Sequence, residues 1–145
     1  MSSLPPPGGN ELEEDATLLR LGPDLTTADC LFVSEIYMLL SQSEHGHTTD
    51  VYDKTLAYAT RFSKFKNRET VKQVRRLFDN VVEPPANGPP GAAPQKMAEF
   101  ELASLCSLCP ETAEEAVTLI PSLENYVDAD LEKILSDMTN LRKFK

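Results

Sequence analysis

From residue 26 onward, apolar side chains recur at intervals of three and four, the period of helices with one buried face. Phe32, Ile36, Leu39 and Leu40 form the first such stripe. Thr26 or Thr27 is its expected cap, with Asp29 in the positive first turn. The pattern fades at 41–43, and Gly46 interrupts a polar loop. Thr48, Thr49 or Asp50 caps a second helix, whose stripe is Tyr52, Leu56, Ala59 and Phe62, extended by Phe65. Asn67 caps a third, carrying Val71, Val74, Leu77, Phe78 and Val81 on one side. A fourth runs from about Gln95 to Leu108. It is apolar on more than one side and is expected to be the most buried. Pro110 stops it, and Thr112 to Glu115 reads as a capping box for a short fifth helix ending at Pro121. Residues 122–127 form a connection. Asp128 caps a last helix bearing Leu131, Ile134, Leu135, Met138 and Leu141, with Arg142, Lys143 and Lys145 at its negative end. No strand pattern competes inside this region, so the fold class is all-α.

Two segments break the pattern. Residues 1–15 hold a Pro-Pro-Pro-Gly-Gly run followed by Glu11, Glu13, Glu14 and Asp15, a composition that buries little and reads as a flexible acidic arm. Residues 83–95 contain five prolines and two glycines, which exclude helix and central strand and mark a linker or insertion. The chain therefore divides into an arm and attachment segment, 1–25, and a helical domain, 26–145, interrupted at 83–95. Between arm and domain, Thr17, Leu19 and Leu21 alternate with Leu18 and Arg20 before Gly22-Pro23. Two readings stay open: a tail packing on its own domain, or an edge strand added to a partner's sheet.

Composition sharpens this picture. The 145 residues carry a net charge of −9 and three cysteines. Three cysteines cannot all pair within the chain, which points to a reducing compartment. No apolar run reaches the roughly 18 residues of a membrane span, so no membrane association is expected. The first residues lack the basic and apolar regions of a signal peptide. Against the overall acidity stands one basic island. Arg61, Lys64, Lys66, Arg68, Lys72, Arg75 and Arg76 face a single acid, Glu69, between residues 61 and 76. Such a run is either a solvated face or a polyanion site. The helical period turns Phe62 and Phe65 mostly inward, so phosphate contact is expected to outweigh base stacking, giving weak, salt-sensitive, sequence-tolerant binding of a single nucleic-acid strand.

Enzymatic constellations are missing from the sequence. There is no phosphate-cradling glycine loop and no nucleophile elbow. The acids sit at helix caps and outer faces, and no catalytic residue, cofactor or metal is expected. Cys106 and Cys109 form a C-x-x-C, but a zinc site needs about four ligands, and the other candidates are Cys30, His45 and His47 in different surroundings. Burial as small hydrophobes explains the pair better than metal or redox chemistry.

Three stretches carry a family resemblance. Residues 61–70, RFSKFKNRET, and 100–116, FELASLCSLCPETAEEA, continued by Leu119 to Leu123, resemble signatures of the fourth-largest subunits of eukaryotic RNA polymerase II. Residues 13–22, EEDATLLRLG, resemble that family's N-terminal segment. The resemblance implies an HRDC-like helical bundle that is not catalytic and forms a heterodimer with the OB-fold seventh subunit. That pair would form a stalk on the polymerase II core, supporting initiation and handling of nascent RNA. It implies a nuclear location that can extend to the cytoplasm. Carried onto this chain, the partner-facing residues would be Thr17, Leu18, Leu19 and Leu21, with Phe32, Ile36, Leu39 and Leu40 of the first helix. The insertion at 83–95 departs from the tight connection expected there. Rival readings are a free-standing HRDC-type nucleic-acid module, the equivalent subunit of another nuclear polymerase, and a redox or metal protein built on Cys106 and Cys109.

Overall fold

A computed structural model describes residues 13–25, 28–42, 49–79 and 96–143. The acidic arm before residue 13, the expected caps Thr26 and Thr27, the loop with His45 and His47, and the proline-rich insertion lie outside these residues. Among the described residues the architecture is all-α. The helices are α1 (Val33–Gln42), α2 (Asp50–Phe62), α3 (Arg68–Arg76), α4 (Glu99–Leu108), α5 (Ala113–Leu119) and α6 (Asp128–Lys143). Short 3-10 turns at Ala16–Leu18 and Pro121–Asn125 complete the order.

The caps follow the side-chain chemistry. Thr49 Oγ1 accepts the Tyr52 N–H at 3.0 Å, Asn67 Oδ1 accepts the Glu69 N–H at 2.8 Å, and Thr112 Oγ1 accepts the Glu115 N–H at 3.1 Å. Cys109 closes α4 in the left-handed conformation (φ 48°), its N–H donating to Leu105 O, and Pro110 prevents continuation.

The core sits where α3, α4, α5 and α6 meet. Val74, Leu105, Ala116 and Leu131 are fully buried there, with Leu135 and Met138 1% exposed. α4 holds the most buried residues of the six helices: Glu101, Leu102, Leu105 and Cys106. α2 is peripheral. It packs chiefly on α1 and buries Ala59, while Tyr52 and Leu56 are half-buried.

Several expectations need correction. α1 begins at Val33, several residues after the expected start, because side chains of α1 and α4 accept the N–H groups just before and at its start. The Glu35 carboxylate accepts the Phe32 N–H at 3.1 Å, Ser107 Oγ accepts the Val33 N–H at 3.2 Å, and Glu99 accepts the Cys30 N–H at 3.1 Å. Phe65 does not extend α2. The chain turns at Ser63, and Phe65 enters the core, 2% exposed and edge-on to Phe32 at 6.5 Å. α3 stops at Arg76, and Val81, expected on this helix, lies outside the described residues; α4 starts at Glu99, and 96–98 before it are not helical. The 122–127 connection contains a 3-10 turn opened by Pro121.

The alternating segment 16–22 is not a strand in this chain. Asp15 Oδ1 accepts both the Thr17 N–H at 2.9 Å and the Thr17 hydroxyl at 2.5 Å, which folds the backbone into a turn. Asp15 and Arg20 then pair backbone to backbone, 2.8 and 2.9 Å, with Leu19 left-handed at φ 57°. The turn packs against Pro121–Asn125. Gly22 has φ +87°, and an added Cβ would lie 3.0 Å from Glu14 Oε1, so a side chain there would be strained.

Candidate functional site

The basic island does not form one surface. Arg68, Lys72 and Arg76 are exposed on the side of α3 opposite Val71 and Val74. Arg75, counted among the RNA-contacting residues from sequence, is instead an internal brace. Its Nε and Nη2 donate to the two Glu35 carboxylate oxygens, each at 2.7 Å. Nη1 reaches Glu99 at 3.2 Å, and Nη2 also donates to Cys30 O at 2.8 Å. One guanidinium thus ties α3 to α1, to α4 and to the segment before α1. The sequence could not assign this role, because its acceptors lie 24 to 45 residues away.

Lys64 and Lys66 leave α2 on a turn pinned from below. Ser34, 1% exposed, accepts the Lys64 and Phe65 N–H groups at 3.1 and 3.0 Å. The Lys66 ammonium folds back, donating to Thr60 O and Ser63 Oγ and lying 4.7 Å over the Tyr37 ring. Beside this turn the end of α6 arrives. Ser63, Lys64, Lys66, Thr139, Arg142 and Lys143 line a cleft of about 400 Å³. Arg142 and Lys143 were read from sequence only as helix-end charges, yet the fold sets them beside Lys64. Among the described residues, Lys64, Arg142 and Lys143 form no ion pair. Four cations and two hydroxyls around one cleft favour a polyanion.

The inward reading of the phenylalanines holds for Phe65 and fails for Phe62. Phe62 is 43% exposed and its neighbour Tyr58 59%. α2 ends at Phe62, so Phe65, not Phe62, reaches the core.

The expected partner face is divided. Leu18 and Leu39 are more than half exposed, while Leu19, Leu21, Ile36 and Leu40 are half-buried and Thr17 is exposed. Phe32 is fully buried inside its own domain and presents nothing to a partner. The N-terminal turn lies on Pro121–Asn125, whereas α1 packs on α2 and α4.

Glu101 went unnoticed in the sequence, which placed the acids on caps and outer faces. It is fully buried. Its Oε1 accepts from the Tyr126 hydroxyl at 2.6 Å and the Ala98 N–H at 3.3 Å, and its Oε2 accepts from the Ser122 hydroxyl at 2.7 Å. The sequence signal is that Glu101 lies between Phe100 and Leu102 in a helix apolar on more than one side. Burial pushes the Glu101 carboxyl above its ordinary value, partly opposed by the Tyr126 and Ser122 hydrogen bonds. The folded protein therefore binds this proton more tightly than the unfolded chain. Stability should decline as pH rises from about 4.5 through the raised folded value. Glu101→Gln should remove that decline while leaving the rest of the profile. Urea unfolding of both proteins across a pH series checks it, and superimposable pH dependences would refute the assignment.

Cys30, Cys106 and Cys109 are free. Burial pushes the Cys109 thiol up to about 11 and holds Cys106 well above its usual range. Both shifts disfavour the thiolate, the form in which a cysteine acts as a nucleophile. Among the described residues, no group of three or more His, Cys, Asp or Glu is placed to hold a metal ion, and no helix is long and apolar enough to cross a membrane.

Known proteins resemble this chain over nearly its whole length. The model of the family described as RNA polymerase Rpb4 matches residues 14–142. A Dictyostelium discoideum protein named DNA-directed RNA polymerase II subunit rpb4 is 38% identical over 159 residues, covering 94% of each chain. An Arabidopsis thaliana DNA-directed RNA polymerase II subunit 4 is 32% identical, covering 93% of this chain and 98% of its own. The Schizosaccharomyces pombe subunit rpb4 is 38% identical, covering 92% and 95%. The match spans the N-terminal turn, the Lys64 turn and the Arg142 end of α6, and the chain belongs to the RNA polymerase Rpb4 family.

Proposed function

We propose that this chain is a non-catalytic stalk subunit of nuclear RNA polymerase II, HRDC-like in fold, that works as a heterodimer with the OB-fold seventh subunit. The family match over residues 14–142 carries the reading. Leu18 and Leu39 are exposed leucines on the two elements assigned to the partner, each with apolar area to bury on association. The work is binding rather than bond-making: the partner is held by the N-terminal turn and α1, and the pair is presented to the polymerase core. The Lys64 cleft and the outer side of α3 then take the phosphate backbone of the emerging transcript. Arg61, Lys64, Arg68, Lys72 and Arg76 serve there with Arg142 and Lys143, while Arg75 does not. Each neutralised phosphate of a single strand would steepen the salt dependence of binding by roughly 0.7 of a unit of logarithmic slope.

Affinity purification of the tagged full-length chain should recover the other subunits of polymerase II. Replacing Leu18 and Leu39 by Asp should weaken the heterodimer at least about tenfold, each costing roughly the burial of one leucine. Purification without any polymerase subunit would sink the proposal, and an unchanged dissociation constant would remove these two leucines from the interface.

A further inference from the structure

The outer side of α2 carries an apolar stripe. Val51, Tyr58 and Phe62 are 72%, 59% and 43% exposed. Their spacing, with Thr55 between, places them along one face. The Tyr58 and Phe62 rings lie 4.6 Å apart and are tilted by 41°, and the Arg61 guanidinium sits 5.4 Å over the Phe62 ring. One residue beyond Phe62 the chain enters the cationic cleft, which Ser63 and Lys64 line. Exposed aromatic side chains next in the chain to a cleft of clustered cations suit a ligand that carries both flat apolar rings and regular negative charge. Single-stranded nucleic acid has both, since every base offers a π-face to an aromatic side chain and every linkage a phosphate. A guanidinium layered on a ring adds a second flat surface for a base.

We propose that Tyr58 and Phe62, with Arg61, form a stacking platform for an unpaired base of single-stranded RNA whose adjoining phosphates lie in the Lys64–Arg142–Lys143 cleft. This rests on the transcript-contact reading above and adds a base-level contact to it. Binding through the platform is sequence-tolerant but requires bases, so a strand of sugar and phosphate alone is held less tightly.

The test uses the full-length chain assembled with its partner subunit. Two probes are a single-stranded oligoribonucleotide carrying one fluorescent adenine analogue and a matched abasic strand. Tyr58 and Phe62 are exposed, so Tyr58→Ala with Phe62→Ala leaves the fold in place, and Tyr58→Phe with Phe62→Tyr keeps both rings. The alanine pair is expected to weaken binding of the base-containing strand at least about fivefold. It should also abolish the fluorescence change and erase the preference over the abasic strand, with the salt slope unaltered. The aromatic swap should restore all three. Reversing Lys64, Arg142 and Lys143 to Glu should instead lower the salt slope for both strands. Salt-dependent binding untouched by the alanine pair would overturn the platform alone, as would equal losses on both strands. Loss of a protein partner with RNA binding intact would assign the stripe to protein contact and overturn it too. No RNA binding by the native complex would overturn both the platform and the transcript contact.

Discussion

Phe32→Ala is expected to cost about 3–5 kcal/mol of folding stability, a loss that unfolds many domains of this size. Phe32 is fully buried, packs edge-on against Phe65 and lies under the Arg75 guanidinium at 5.7 Å. Truncation empties a ring-sized space beneath three elements. The resemblance had placed Phe32 on the partner surface. The two roles separate cleanly in a measurement on the uncomplexed chain. Urea unfolding without any partner should show the full loss for Phe32→Ala and little change for Leu39→Ala, whose side chain is 56% exposed. Near-native stability of the alanine variant would return Phe32 to the surface.

Arg75→Met should destabilise the fold by about 2–3 kcal/mol, because it strips two carboxylates and one carbonyl of their shared donor while keeping most of the side-chain volume. The loss is smaller than for a fully buried ion pair, since Arg75 and Glu99 are about a third exposed and water screens them. Glu35 and Glu99 would then stand near each other without a cation, while still serving as acceptors for the Phe32 and Cys30 N–H groups. Arg75→Lys should recover only part of the loss, as an ammonium cannot engage both Glu35 oxygens in a parallel fork. Adding Glu35→Gln and Glu99→Gln to Arg75→Met should relieve the unpaired charge. Chemical denaturation of the four proteins measures this, and equal stability of Arg75→Met and wild type would refute the brace. At temperatures where it is folded, Arg75→Met should bind RNA as wild type does, since the guanidinium is committed inward.

Helix identity was legible along most of the chain because it rests on local spacing. Asn67 and Thr112 cap where their side chains predict, Thr49 caps among the three candidates the sequence offers, and Val71, Val74 and Phe78 face the core as the three- and four-residue period requires. Boundaries failed where distant groups satisfy the backbone. α1 starts late because Glu99 and Ser107 of α4 hold the preceding N–H groups. The Ala16–Arg20 segment has strand-like alternation, but the Asp15 carboxylate offers a nearer acceptor than any neighbouring strand. The basic site was half legible: the island was plain in the sequence, while its partition between Arg75 inside and Lys64 outside was not.

The sequence by itself determined an all-helical chain, its punctuation by Gly and Pro, one cationic island in an acidic protein, and family membership through its signature runs. All of these depend on neighbours within a few positions, where spacing and side-chain type carry the physics. Only the tertiary structure decided which charges pair inward, that Glu101 lies buried under Tyr126 and Ser122, and that Arg142 and Lys143 complete the Lys64 cleft. Those outcomes turn on which groups meet across tens of residues. There, desolvation makes each buried charge seek a partner wherever the fold supplies one.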